Sequence, residues 1–424
     1  MKTGATKDGT LVANELRVVA DTGAYGGHAV TVQANTGSHP LPLYPAENIR
    51  FHCKIAYTNL PSAGAMRGYG TPQGIFAVEN QMDEMAERLG MDPLEFRGMA
   101  CIKKDQDDPI SRVLSEGKKA ARKVLDDGLT EAMRRGAEAF GWDSVKKITS
   151  NGAKIRRGVG MACAMQGNGI PGIDWGAATI KLNDDGSYNV LAGEADLGTG
   201  ADTVLGQMVA ETLGVNMDKV VVYSGDTDMT PFDVGAYASS TTYISGTAVK
   251  KAADVVRMRL KERAAMLLGI DAPCSIELRD RQAWAPDGRS VSIAEIALDS
   301  LHLNEQEQIM GTGSHVSPDC PPPFAAQFVE LEVDIDTGQV TVVKMVMAVD
   351  CGVAINPITA SGQVEGGMLQ ALGYAHCEEI VLDGDGTMVN PSFGPYPIYR
   401  ADETPETEVF LIQTMEDSLS LIHI

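Results

Sequence analysis

Four times along the chain an apolar run meets an acidic, glycine-containing turn and continues as a second apolar run. The segments are KDGTLVA near residue 10, IKLNDDGSYNVL from 180, LEVDIDTGQVTVV from 331 and VLDGDGTMV from 381. Such turns supply the positive φ that a tight reversal needs, so each segment is a predicted β-hairpin. Between them the rhythm is helical. Thr71 is expected to cap a helix with Pro72 at its first position, and Ile75, Val78, Met82, Met85 and Leu89 recur at helical spacing until Gly90 stops it. Further helices are predicted from Asp92 and Pro93, over about 200–213, over about 241–268, and from Asn356 and Pro357. Hairpins alternating with packed helices predict an α+β fold in layers.

A chain of 424 residues with 44% hydrophobic content can bury more than one core. We expect a first domain over 1–110, a helical linker over 111–155 that carries Arg134, Arg135, Lys146 and Lys147, and a second domain over 156–416. A net charge of −22 argues against nucleic acid or an anionic membrane as partner, because both need a basic face. No run of eighteen apolar residues occurs, and a cytoplasmic protein is the expectation. The seven cysteines are scattered without a CxxC pair, which fits neither a disulfide frame nor a zinc or iron–sulfur site; reduced and mostly buried thiols are expected. The DGDG run at 383–386 lacks a carboxylate at the twelfth position of a calcium loop and reads as a plain turn. The chain opens directly in strand-like sequence, and its closing MEDSLSLIHI continues no pattern. A fragment with a non-native tail over 417–424 is therefore expected.

Four loops share one character, small or glycine residues just before a predicted helix: GAMRGYGTPQ (64–73), GEADLGTGADT (193–203), DVGAYASSTTYISG (233–246) and NPITASGQVEGG (356–367). Helix N-termini present unpaired N–H groups and a partial positive charge, so each is a candidate anion site. The chain has no Walker motif and no GxGxxG fingerprint. Four such loops together favour one large phosphate-bearing cofactor, held by backbone N–H groups and by the hydroxyls of Ser239, Ser240, Thr241 and Thr242. An acidic protein could hold an anion in this way with little need for lysine.

Three blocks, TNLPSAGAMRGYGTPQGIFAVENQMDEMAERLGMDPLEFR, GDTDMTPFDVGAYASSTTYISGTAV and VDCGVAINPITASGQVEGGMLQALGYAHCEE, resemble the molybdenum-binding large subunit of the xanthine dehydrogenase and aldehyde oxidase family. The resemblance extends over nearly the whole chain and implies two molybdopterin-binding domains. It also implies a molybdopterin cofactor, in bacterial members often a cytosine dinucleotide, and hydroxylation of an N-heterocycle or an aldehyde with water-derived oxygen. FAD and 2Fe–2S centres would sit on partner subunits, since no ferredoxin-like cysteine run is present. Molybdenum would be held by the pterin dithiolene, near Arg67 and Ala238, and not by a protein ligand. By the same resemblance Arg67 and Tyr69 are the catalytic pair, the cation toward the metal and the ring stacked on a flat substrate, so that the ring and not the hydroxyl would matter. Gly68, Gly198, Thr199, Gly200, Ala238, Ser239, Ser240, Thr241, Thr242 and Gln363 would bind the cofactor.

Departures from the family pattern are also visible. Thr199 stands where many relatives have glutamine in a GQG loop, and Cys163 in GMACAMQGNG stands where animal xanthine enzymes place an aromatic against the substrate, although a buried core thiol is the expectation for it. The family's general base is a glutamate in a GxGE-type motif, which this sequence lacks; Glu365 and Glu378 do not match it. Two other readings stay open: a large subunit of the hydroxybenzoyl-CoA reductase type, and a non-catalytic cofactor-binding fragment. A carbon monoxide dehydrogenase is disfavoured, because its active-site loop carries a cysteine that GAMRGYG lacks.

Overall fold

The structure is a computed structural model that describes residues 1–108, 122–146 and 154–414. The expected tail and parts of the expected linker, 111–121 and 147–153, lie outside the described residues; within 122–146 stand the helices Gly128–Phe140 and Trp142–Val145. The chain divides into two compact units. The first draws on Met1–Gly167, Pro322–Gly352 and Ser361–Glu416, and the second on Asn168–Pro321 and Val353–Ala360.

In the first unit a three-stranded sheet runs in the order Lys2–Ala5, Leu11–Asp21, Asn48–Ala56. Its first pair is the expected hairpin. Its second pair is parallel, which demands a crossover, and the helix Ala29–Ser38 lies in that crossover. A four-stranded sheet runs Glu406–Ile412, Val340–Asp350, Phe324–Asp334, Ile155–Met165. The helix Gly128–Phe140 packs on it so closely that a Cβ on Gly136 would stand 2.6 Å from the Phe328 ring. The helix Thr71–Leu89 keeps its predicted stripe, with Val78, Met82 and Met85 buried and Gly90 at its end. Thr71 does not cap it. The N-cap is Gly70, and the Thr71 hydroxyl instead binds Gln166.

The second unit holds a four-stranded sheet in the order Met310–Val316, Trp175–Leu182, Tyr188–Ala192, Val220–Ser224. Trp175–Leu182 and Tyr188–Ala192 form the expected hairpin, while Tyr188–Ala192 and Val220–Ser224 are parallel, with the helix Ala201–Leu213 between them in sequence. The long helix Gly246–Leu268 lies against Met310–Val316, where Gly311 and Gly313 leave no room for a side chain; a Cβ on either would stand 2.4 Å from a helix carbonyl. Ile180, Val190, Leu205, Val249, Val256 and Ile296 are among the residues of this core.

The segment from 381 is reduced to one bridge, Leu382 to Met388, around an Asp383 carboxylate that accepts from the N–H groups of Asp385 and Thr387. Among the described residues no helix is long and apolar enough to cross a membrane.

Candidate cofactor and substrate site

Parallel pairing places the loops. Asp21 and Ala56 are register partners at the carboxyl ends of adjacent parallel strands, so the chain that leaves each strand must run beside the other. Backbone bonds from Thr58 N to Gly23 O, Ala24 N to Leu60 O and Ala63 N to Thr22 O continue the pairing beyond the sheet. The first segment carries on to His28, the second to the Arg67–Gly70 turn. Three successive residues of that turn have left-handed backbones: Gly68 (φ 96), Tyr69 (φ 45) and Gly70 (φ 89). Positive φ is uncommon for a bulky residue, and such strain persists only where surrounding structure enforces it.

Arg67 and Gln363, 296 residues apart, meet in the first unit. Arg67 Nη2 donates to the Gln363 carbonyl at 2.7 Å and lies 3.4 Å from its side-chain oxygen, and Gln370 Nε2 donates back to the Arg67 carbonyl at 3.3 Å. Gly366 and Gly367 pass the guanidinium with space to spare, since a Cβ on either would stand no closer than 3.7 Å to it. The Tyr69 hydroxyl is engaged, 2.6 Å from both His28 Nδ1 and Thr31 Oγ1. The hydroxyl thus ties the turn to the helix Ala29–Ser38 and to His28 at its start.

Gly198, Thr199, Gly200 and Ala238 to Thr242 lie in the second unit. Ala238 (φ 52) and Ser239 (φ 54) are also left-handed, and a π-helical turn, Thr241–Ser245, follows them into the long helix. Ser240, Thr241 and Thr242 are buried. A Cβ on Gly193 would stand 2.7 Å from that of Asp233, which brings the GEADLGTG loop against the start of the DVGAYASS loop. The N-terminus of helix Ala201–Leu213 already has its anion. Asp196 accepts from the N–H groups of Gly198 (2.8 Å), Gly200 (3.2 Å) and Asp202 (3.3 Å). Desolvation opposes ionisation there, yet these N–H groups hold the Asp196 carboxyl below its ordinary range. Asn356 caps its own helix by accepting from the N–H groups of Ile358 and Thr359, and its amide donates to Gln207.

Residues 135–405 match a family model for a molybdopterin cofactor-binding domain, and residues 1–101 match a second one. The chain belongs to the xanthine dehydrogenase and aldehyde oxidoreductase family. It is 34% identical over 428 residues to the xanthine dehydrogenase molybdenum-binding subunit of Escherichia coli O157:H7, covering 99% of this chain and 56% of that protein. It is 30% identical over 382 residues to the aldehyde oxidoreductase molybdenum-binding subunit PaoC of Escherichia coli K12, covering 87% and 48%. Among solved structures it is similar to quinoline 2-oxidoreductase from Pseudomonas putida 86, with a TM-score of 0.87 at 23% identity, over 98% of this chain and 55% of that one. At that identity the likeness establishes the mixed α+β fold. The chain spans about half the length of the curated relatives it matches.

A molybdopterin-binding chain should keep buried polar atoms in reserve for its cofactor, because native interiors otherwise leave few such atoms unpaired. Asn168 Nδ2 and Oδ1 and Thr242 Oγ1 meet that test: all are buried and have no hydrogen-bond partner among the described residues. An amide that both donates and accepts, with a hydroxyl, suits the N–H and carbonyl edge of a pterin.

Sequence reasoning missed His28, Thr31, Asp196 and Glu194. The run TGAYGGHAV before the helix Ala29–Ser38 has the same glycine character as the four loops and could have flagged His28. Cys163 is wholly buried, and burial pushes its thiol well above the ordinary range, so it is a core residue and not a nucleophile.

Glu194 is 1% exposed, and among the described residues neither carboxylate oxygen has a hydrogen-bond partner of normal geometry. Burial, reinforced by Asp233, Asp196 and Asp202, pushes its carboxyl up to about 8. Between the ordinary value of 4.5 and about 8 the folded chain keeps a proton that the unfolded chain releases. Stability from this group is complete below the lower value and declines as pH rises, levelling off above the upper one. Glu194→Gln should remove the decline, on the order of a few kcal/mol across that window. Unfolding midpoints for both proteins between pH 5 and 9, if parallel, would refute it.

Proposed function

We propose that the chain is the molybdopterin-binding part of an oxidoreductase that hydroxylates a planar N-heterocycle or an aldehyde with water-derived oxygen. The observation that carries this reading is the strained Arg67–Gly70 turn tied through Arg67 to Gln363, because two of the family-like sequence blocks, far apart in the chain, contribute those two residues. When bound, the molybdenum cofactor, as a cytosine dinucleotide, supplies the two-electron oxidation. Gly68, Gly198, Thr199, Gly200, Ala238, Ser239, Ser240, Thr241, Thr242 and Gln363 would hold it, Gly198 and Gly200 by close backbone approach, since Asp196 takes their N–H groups. Arg67 supplies fixed positive charge toward the metal and Tyr69 a ring toward the substrate. Partner subunits carrying FAD and 2Fe–2S centres would supply the electron acceptors, and the complex would work in the cytoplasm.

The full-length complex should contain roughly one molybdenum per large subunit and release a pterin on denaturation. Arg67→Ala should lower turnover on the order of 10²-fold or strip the metal, as expected for the loss of a preorganised charge. Metal analysis that finds no molybdenum in protein from a host competent to make the cofactor would refute the reading.

A further inference from the structure

Three contacts join His28, Thr31 and Tyr69. The Tyr69 oxygen is 2.6 Å from His28 Nδ1 and 2.6 Å from Thr31 Oγ1, and Thr31 Oγ1 is 3.1 Å from the His28 carbonyl oxygen. Each hydroxyl has one proton to give, so the contacts constrain one another. If Thr31 donated to Tyr69, its 3.1 Å contact with the His28 carbonyl, which also accepts from the Val32 N–H at 3.0 Å, would go unfilled. One assignment fills all three: Thr31 donates to the His28 carbonyl, Tyr69 donates to Thr31 Oγ1, and His28 Nδ1–H donates to the Tyr69 oxygen. The imidazole proton is then on Nδ1 and Nε2 is left as an acceptor, by the usual rule that the bond at one ring nitrogen sets the state of the other. His28 is exposed, and Nε2 has no hydrogen-bond partner among the described residues. The two rings stand edge to face, centroids 5.7 Å apart at 84°, which puts the imidazole at the rim of the Tyr69 ring.

We propose that His28 Nε2 is a specificity-determining acceptor that receives a ring N–H from a planar heterocycle lying on Tyr69, and so favours lactam- or amidine-type heterocycles over aldehydes. The inference rests on the reading of Tyr69 as the substrate-facing ring. A heterocycle with a ring N–H satisfies the imidazole lone pair. An aldehyde offers only an acceptor oxygen, which leaves that lone pair unmatched and gains nothing from it. Thr31 and Tyr69 are positioning residues for His28 in this scheme, because they select its tautomer.

The test uses the full-length complex with hypoxanthine, which has ring N–H groups, and benzaldehyde, which has none. KM and kcat are measured for the parent protein, His28→Phe, His28→Gln and Tyr69→Ala, with molybdenum content as a check on assembly. His28→Phe is expected to raise KM for hypoxanthine about three- to tenfold, the worth of one hydrogen bond, with benzaldehyde and metal content unchanged. His28→Gln restores an acceptor oxygen and should recover part of the loss. Equal shifts for both substrates, or none for either, would overturn the proposal. So would a parent complex that oxidises benzaldehyde but not hypoxanthine. Tyr69→Ala separates the two readings: if it raises neither KM, the stacking role of Tyr69 fails, whatever His28 does.

Discussion

Glu79→Ala is expected to destabilise the first unit by about 3–5 kcal/mol, because it strands a buried arginine. Arg97 is 0% exposed and Glu79 4%. The Glu79 carboxylate accepts from Tyr44 Oη at 2.6 Å, from Arg97 Nε at 2.7 Å and from the Cys163 N–H at 3.0 Å, so helix and strand are tied at one point. Burial raises the Glu79 carboxyl even though Arg97 and these donors favour the charged form, which shows how much desolvation the network has to offset. After truncation, Arg97 keeps Asp83 at 2.7 Å, but Asp83 is half exposed and solvent weakens that pair. Tyr44 and Cys163 lose a partner as well. Glu79→Gln keeps the shape and one acceptor, and should cost less than Glu79→Ala. Urea unfolding, with hydrogen exchange in the helix Thr71–Leu89 as a local reporter, measures both; a loss under about 1 kcal/mol for Glu79→Ala would contradict the account.

Gly70→Ala should be nearly as costly, and its effect should reach the cofactor. A left-handed backbone costs an alanine about 1–2 kcal/mol. The added Cβ would also stand 1.9 Å from the Val32 carbonyl oxygen, within the helix Ala29–Ser38, and that backbone cannot yield cheaply. Together these predict a loss of ~3 kcal/mol or a displaced turn. A displaced turn moves Arg67 off Gln363 and Tyr69 off His28, so molybdenum per large subunit should fall at least about tenfold. Gly64→Ala is the control. Among the described residues no atom beyond its chain neighbours lies within 4 Å of its Cβ position, and it should retain both stability and metal. Similar molybdenum contents in the two variants would refute this role for the turn.

These two substitutions also mark where sequence reading stops. Gly64, Gly68 and Gly70 look alike in GAMRGYG, and only the path of Val32 shows that Gly70 has no alternative while Gly64 has many. Likewise the GEADLGTGADT loop reads in the sequence as a helix N-terminus open to an anion. The anion already there is Asp196, whose reach to three N–H groups depends on how the loop folds back on itself.

What the sequence determined by itself was local: the Asp/Gly turns that make three of the four hairpins, the helix stripes and stops, and the block similarity that identifies the family. Those features depend on residues a few positions apart, whose φ preferences and periodicity act before any long-range contact forms. Tertiary structure alone decided the parallel pairings Leu11–Asp21 with Asn48–Ala56, Tyr188–Ala192 with Val220–Ser224, and Val340–Asp350 with Glu406–Ile412. Parallel partners are joined through a crossover, so no turn motif announces them. From those pairings follow the meeting of His28 with Tyr69 across 41 residues and of Arg67 with Gln363 across 296. Contacts at such separations close large loops and are stable only when the sheets and helices around them are already packed, which is why no short stretch of the chain encodes them.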